Sequence, residues 1–144
     1  MTAATDFAHE QMVSQQVRGG AVLDEQVLAT LRSVPRERFV PAAWRGLAYA
    51  ETAIALPAGQ RMLPPMMIGR MLQALQLTGR DRVLEIGTGS GYLAACMARQ
   101  AASIRSLELH GEVADFAKRN LASSDTHGVE VLTADAYEFT GQSG

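Results

Sequence analysis

The stretch Arg82-Val-Leu-Glu-Ile-Gly-Thr-Gly-Ser-Gly-Tyr92 decides the fold of this chain. Its first five residues form a short, mostly apolar run that leads into three closely spaced glycines, and residues 92–100 have helical composition. Residues 103–109 and 129–133 repeat the pattern of a strand, and residues 112–121 between them have the pattern of a helix. Strands that alternate with helices through short connections are typical of a parallel sheet. We therefore predict an α/β fold.

The glycine turn and three acidic residues predict the kind of ligand. The glycines follow the spacing Gly-x-Gly-x-Gly, which disfavours a nucleotide-dependent oxidoreductase because dinucleotide binders typically have Gly-x-Gly-x-x-Gly. Glu85 precedes the turn, Glu108 ends the next strand 108 − 87 = 21 residues after Gly87, and Asp135 follows the third strand. Taken singly, each acid has an equally good structural explanation: Glu85 as a cap of the next turn, Glu108 as a solvated strand end and Asp135 as a turn former. Together, at the carboxyl ends of three parallel strands, they predict an adenosine-containing ligand whose ribose hydroxyls contact Glu108.

Composition sets limits on the compartment and the partners. The 144 residues fit one domain, and 47% hydrophobic with 19% charged residues predicts a packed core. The net charge of −2 gives no electrostatic footprint for nucleic acid. We see no signal peptide and no apolar run near the roughly 20 residues that cross a bilayer. With one cysteine, Cys96, expected to be a buried thiol, we predict a cytoplasmic protein with no metal, nucleic-acid or membrane partner.

The chain divides into two differently built parts. Residues 1–79 have mostly helical patterns and residues 80–144 hold the partial sheet, and we predict that both belong to one structural domain. Asp24 is a good N-cap for one helix of the first part, and Pro65 is suited to the first turn of another. The buried stripe predicted for that second helix consists of Ile68, Met71, Leu72 and Leu75.

At this point a family resemblance becomes specific. Residues 83–92 resemble, nearly letter for letter, the cofactor motif of the protein-L-isoaspartate O-methyltransferases, which are class I methyltransferases that use S-adenosylmethionine. Upstream, Val34-Pro-Arg-x-x-Phe-Val-Pro41, Leu47-Ala-Tyr49 and Gly59-Gln60 are similar to the amino-terminal part of the same family. The resemblance extends from about residue 10 to residue 137.

The resemblance implies a fold, a reaction and a set of roles. The fold would be a Rossmann-like parallel sheet preceded by a helical segment, and the reaction a methyl transfer to a carboxylate, such as an isoaspartyl side chain of a damaged protein. Glu108 would then hold the ribose and Asp135 the adenine. The methionine end of the cofactor would be held by Glu85, Gly87, Thr88, Gly89, Ser90 and Gly91.

The loop after Gly59-Gln60 departs from the family pattern. The family has Thr-Ile-Ser there, with hydroxyls beside the methyl group and the substrate carboxylate, and this chain has Arg61, Met62 and Leu63 instead. The sequence therefore leaves the catalytic residues unknown and indicates a divergent bacterial branch. Arg61 either holds a carboxylate in place of the hydroxyls or is simply solvated.

Length is the second departure. The family continues past the Asp135 region with a strand that pairs beside the first one, so we expect a truncated sheet in which residues 83–86 form an exposed edge. Such an edge predicts a homodimer through the first strand. It also keeps open a second interpretation, in which the chain is a non-catalytic, cofactor-binding or dimerising remnant of the fold.

Overall fold

A computed structural model describes residues 3–139 of the protein. The amino-terminal part is helical, as predicted: α1 (Ala3–Gln11) continues into a π-helical stretch (Met12–Val17), and α2 (Glu25–Ser33) follows. Asp24 caps α2 as expected, because its Oδ1 accepts hydrogen bonds from the backbone N–H groups of Gln26 (2.9 Å) and Val27 (3.2 Å). Short 3₁₀ turns come next, over Arg36–Phe39 and Ala42–Leu47.

A small hairpin and a helix lead into the sheet. Strand β1 (Ile54–Ala55) pairs antiparallel with β2 (Arg61–Met62) across a 3₁₀ turn at Pro57–Gly59. Helix α3 (Pro65–Leu75) begins at the predicted proline. Its buried stripe is narrower than predicted, since Ile68 and Leu72 are buried while Met71 and Leu75 are substantially exposed.

The carboxyl-terminal part alternates strands and helices as predicted. Three parallel strands, β3 (Arg82–Ile86), β4 (Ser103–Glu108) and β5 (Val129–Thr133), lie in the order β3-β4-β5. Helices α4 (Tyr92–Ala98) and α5 (Gly111–Ser123) connect them. The α/β class is confirmed.

Both helices pack against one face of this sheet, and the other face is partly bare. On the covered face, Ile104, Ser106 and Val131 are buried. Leu84 and Ile86 alternate onto the opposite face and are 52% and 60% exposed. Within residues 3–139 no strand pairs with the outer edge of β3, so this strand is a sheet edge, as expected.

The main core joins the helical part to α4. Cys96 lies in this core with 0% exposure, and burial raises the pKa of its thiol to about 12. The prediction of a buried thiol is therefore confirmed, and such a thiol stays protonated and inert near neutral pH. The amino-terminal members of the core include Met12, Val13, Val17, Val22, Leu28, Leu31 and Phe39.

Candidate functional site

The glycine turn between β3 and α4 has a backbone that requires its glycines. Gly87, Gly89 and Gly91 have φ values of +89°, +56° and +89°, a region that residues with a Cβ rarely adopt. A Cβ on Gly91 would lie 3.3 Å from Cγ of Leu121 and 3.4 Å from the backbone oxygen of Ala117, so this glycine also allows close packing on α5. At Gly87 a Cβ would meet no atom within 4 Å. The turn is thus closed at its helix end and open at its strand end, where a ligand can approach the backbone.

Glu85 lies beneath the turn in a buried network of hydroxyls. It is 8% exposed, and its Oε1 accepts a hydrogen bond of 2.5 Å from the hydroxyl of Ser106, which faces it across the β3–β4 register. A further 2.6 Å hydrogen bond joins the hydroxyls of Ser106 and Thr88. Burial raises the pKa of Glu85 to about 7. The hydrogen bond from Ser106 lowers this pKa, and the negative charge of Glu108 raises it further. Glu85 therefore keeps its proton to a higher pH than an ordinary glutamate does.

Glu108 reaches back to the turn from the end of β4. It is 5% exposed, and its Oε1 accepts a hydrogen bond from the backbone N–H of Gly89 at 3.0 Å. Its Oε2 accepts one from the N–H of His110 at 3.1 Å and lies 3.2 Å from Nδ1 of that histidine. A carboxylate has about four acceptor positions, so lone pairs remain for ligand hydroxyls.

A cavity lies between the turn and the β1–β2 hairpin. One wall contains residues 61–63, which depart from the family pattern, and the other contains the residues of the glycine turn. Arg61 is exposed at this cavity. The residues that line it are Arg61, Met62, Leu63, Ile68, Glu85, Gly87, Thr88, Gly89, Ser90, Tyr92 and Leu93. The fold therefore brings the two halves of the predicted site together, although 22 residues or more separate them in the sequence.

Three predicted site residues lie outside the walls of this cavity. Gly91 faces α5, and Glu108 contacts the turn from the β4 side. Asp135 is half-buried in the turn after β5, where its Oδ1 accepts a hydrogen bond from the N–H of Tyr137 at 2.9 Å. This hydrogen bond stabilises the turn, so Asp135 has the turn-forming contact that the sequence analysis gave as the alternative to a ligand contact.

Sequence reasoning missed three residues that hold the site together. Ser106 was detectable in principle, because it lies two residues before Glu108 and therefore on the same face of β4. Asn120 of α5 is buried and donates from Nδ2 to the backbone oxygen of Ser90 at 3.0 Å. Arg36 is fully buried behind the hairpin, and nothing in its local sequence marks an arginine as a core residue.

Residues 3–139 contain no group of three or more histidine, cysteine, aspartate or glutamate side chains arranged to hold a metal ion. In the same range no helix has the length and apolar character needed to span a membrane.

Comparison with known proteins identifies the class and then the family. A structure from Plasmodium falciparum, described as a beta-aspartate methyltransferase in complex with S-adenosyl-L-homocysteine, superposes with a TM-score of 0.79 at 21% identity. The superposition covers 90% of this chain and 64% of that one, and it shows that the fold is the Rossmann-like fold of S-adenosylmethionine-dependent methyltransferases. The family model for protein-L-isoaspartate(D-aspartate) O-methyltransferase matches residues 7–142. The chain belongs to this family.

Individual relatives agree with the family model. The chain is 43% identical over 134 residues to protein-L-isoaspartate O-methyltransferase 1 of Rhodopseudomonas palustris (strain HaA2), covering 92% of this chain and 55% of the relative. It is 41% identical over 126 residues to the protein-L-isoaspartate O-methyltransferase of Methanoculleus marisnigri, covering 88% of this chain and 57% of the relative. The chain thus spans somewhat more than half the length of the curated relatives it matches.

Proposed function

We propose that this chain binds S-adenosylmethionine at the glycine turn and provides the cofactor half of a methyltransferase that acts on a carboxylate, such as an isoaspartyl side chain. The observation that carries the proposal is the open backbone at Gly87 flanked by two buried carboxylates, Glu85 and Glu108. This arrangement fits the cofactor, because a ligand can approach the turn without meeting a side chain while acidic groups lie beside it. When bound, the cofactor supplies an activated methyl group on a sulfonium.

The roles proposed for the site residues follow from their positions. Glu85 and the turn at residues 87–91 would hold the methionine end, where the carboxylate favours an ammonium group. The remaining lone pairs of Glu108 would accept hydrogen bonds from the ribose hydroxyls, and its bond to Gly89 keeps it aligned with the turn. Asp135 would receive the adenine amino group, which requires its half-buried side chain to stay accessible beside its bond to Tyr137.

The acceptor is proposed to enter from the hairpin side. Residues 1–79 would then form the acceptor side of the domain and residues 80–144 the cofactor side. Arg61 is exposed at the cavity, and its side chain makes no hydrogen bond or salt bridge within residues 3–139, so its guanidinium is available to hold a carboxylate. A carboxylate needs no deprotonation near neutral pH, so the chain would contribute orientation for an in-line attack more than acid–base chemistry.

A calorimetric titration of the chain with S-adenosylhomocysteine tests the cofactor site. Saturable one-to-one binding is expected in the wild type, and the absence of heat at ligand concentrations in the millimolar range would refute the proposal. An Arg61→Gln variant is the matched control for the acceptor side. It should bind S-adenosylhomocysteine as the wild type does, because Arg61 lies on the hairpin wall.

A second candidate function is a non-catalytic, dimerising form of the same fold, and the exposed edge favours it. Leu84 and Ile86 expose more than half of their surface on a strand that has no partner on its outer side within residues 3–139. Two copies could pair their β3 strands antiparallel about a two-fold axis. Light scattering at tens of micromolar distinguishes the forms, since a monomeric mass would contradict the dimer. We also propose a cytoplasmic location, for which the single buried cysteine is the support.

A further inference from the structure

Arg36 is the least expected side chain of the described structure. It is 0% exposed, and this burial lowers the pKa of its guanidinium. It makes no salt bridge within residues 3–139. An arginine buried without a carboxylate partner is costly, so a fold that retains one uses its donors for something that an apolar residue cannot supply.

The donors of Arg36 hold the two ends of the segment that carries the hairpin. Its Nε donates to the backbone oxygen of Ala48 at 2.7 Å, and one Nη donates to the backbone oxygen of Leu63, also at 2.7 Å. Leu63 lies 27 residues from Arg36 in the sequence and is one of the three positions where the loop departs from the family pattern. Both distances are at the short end of the range for charge-assisted hydrogen bonds.

The same guanidinium also lies over an aromatic ring in the other wall of the cavity. Its central carbon lies 5.0 Å from the centre of the Tyr92 ring, which is a cation–π distance. Tyr92 is the first residue of α4 and follows Gly91 directly, and its ring is 1% exposed. Phe39 supports the ring from the side, with the two ring centres 5.7 Å apart.

One side chain therefore joins the two walls of the site. Leu63 and Tyr92 both line the cavity between the hairpin and the glycine turn, and Arg36 contacts both from behind. We propose that Arg36 is a positioning residue of the methyl-transfer site, which holds residues 61–63 (strand β2 and the residue that follows it) in a fixed place relative to the glycine turn. This inference rests on the proposed function, because it gives the distance between the two walls a role in aligning acceptor and cofactor.

Hydrogen exchange of the backbone amides tests the inference without requiring activity. Arg36→Met removes the charge and the donors while keeping similar volume. Amides of the β1–β2 hairpin should exchange at least about tenfold faster than in the wild type, because hydrogen bonds from a charged donor no longer hold the segment, while amides of β4 and β5 keep their rates. Arg38→Met is the matched control, since Arg38 lies in the same 3₁₀ turn and donates to the Ser123 oxygen at 2.9 Å, away from the cavity.

A second variant keeps the test decisive if Arg36→Met does not fold. Arg36→Lys retains the charge but cannot donate from a rigid fork to two carbonyls, so hairpin exchange should rise selectively and by a smaller factor. Tyr92→Phe keeps the ring face and should leave hairpin exchange as in the wild type. Unchanged hairpin rates in both arginine variants, or a uniform rise over the whole chain, would overturn the inference.

Repeating the experiment with S-adenosylhomocysteine distinguishes a positioning role of Arg36 from a role in cofactor binding. S-adenosylhomocysteine should still bind Arg36→Lys within about threefold of the wild-type Kd, because none of the proposed cofactor contacts is lost, but it should protect the hairpin less than it does in the wild type. Loss of binding in the variant would assign Arg36 to the cofactor site and overturn its role at the loop. If the wild type fails to bind S-adenosylhomocysteine, the proposed function is wrong, and the exchange rates of the ligand-free variants still decide whether Arg36 holds the loop.

Discussion

Replacing Glu85 by Gln should make the stability of the protein less dependent on pH. Glu85 is 8% exposed, and burial raises its pKa from an ordinary value of 4.5 to about 7. In the unfolded chain the carboxyl loses its proton near its ordinary pKa, whereas in the folded protein it keeps the proton up to about pH 7. Unfolding therefore releases a proton between these two values, and the free energy of unfolding must fall as the pH rises through this window.

The magnitude follows from the difference between the two pKa values. A difference of about 2.5 pH units at 1.36 kcal/mol each corresponds to about 3 kcal/mol, an order-of-magnitude figure. The contribution is fully favourable below about pH 4.5 and is lost by about pH 8. Gln has the shape of the neutral carboxyl and can accept the hydrogen bond from Ser106, so Glu85→Gln should lack this loss.

Urea unfolding of both proteins at several pH values between about 4 and 9 measures the effect. The difference in free energy of unfolding between Glu85→Gln and the wild type should grow by about 3 kcal/mol in favour of the variant over this range. Titrating groups that do not interact with Glu85 cancel in this difference. Glu130→Gln, at an exposed position on β5, is the control and should give a nearly flat difference. A flat or opposite trend for Glu85→Gln would refute the reasoning.

Three further changes test the turn, the ribose contact and the loop. Gly91→Ala should destabilise the protein by about 1–3 kcal/mol, because φ of Gly91 is +89° and the new Cβ would lie 3.3 Å from Leu121. The control Gly19→Ala, at an open helical position, should stabilise the protein by up to about 1 kcal/mol. Thermal unfolding of both variants measures the two effects. Glu108→Ala should weaken S-adenosylhomocysteine binding by roughly 1.5–3 kcal/mol in calorimetry, and equal affinity would exclude the proposed ribose contact. In a tritiated-methyl assay with an isoaspartyl peptide we expect no turnover above background from the wild type, because Arg61 and Leu63 occupy the positions at which the family has the hydroxyls of Thr and Ser. Turnover by the wild type would contradict this expectation, and a gain in the triple variant Arg61→Thr, Met62→Ile, Leu63→Ser would identify the loop as the limiting feature.

Local patterns were sufficient to predict the carboxyl-terminal half of the fold. The bounds of β3 and β5 agree with the prediction, and α4, β4 and α5 differ only at their ends. These elements follow from short-range physics: apolar runs of strand length, helical spacing, and glycines at positive φ that end a strand and begin a helix. The buried carboxylates Glu85 and Glu108 were recognisable for the same reason, since both lie at fixed offsets from the turn.

Contacts between segments that are distant in the sequence could not be predicted from local patterns. Helical spacing predicted Met71 and Leu75 as buried, but how much of a helix face is covered depends on which neighbours reach it. Ser106 became part of the site only through the β3–β4 register, which sets it opposite Glu85. The sequence predicted which residues would bind an adenosine-containing ligand, and it could not predict the residues that surround them.

The three-dimensional arrangement decided what surrounds those residues. The hairpin and the glycine turn face one cavity because the amino-terminal part packs against α4 and α5. Arg36 lies between the two walls, at hydrogen-bond distance from Leu63 and 5.0 Å from the centre of the Tyr92 ring. Burial of a charged side chain is a cooperative outcome of the packing of several elements. No short stretch of neighbouring residues encodes it, so the local sequence around Arg36 did not predict that this side chain lies in the core with 0% exposure.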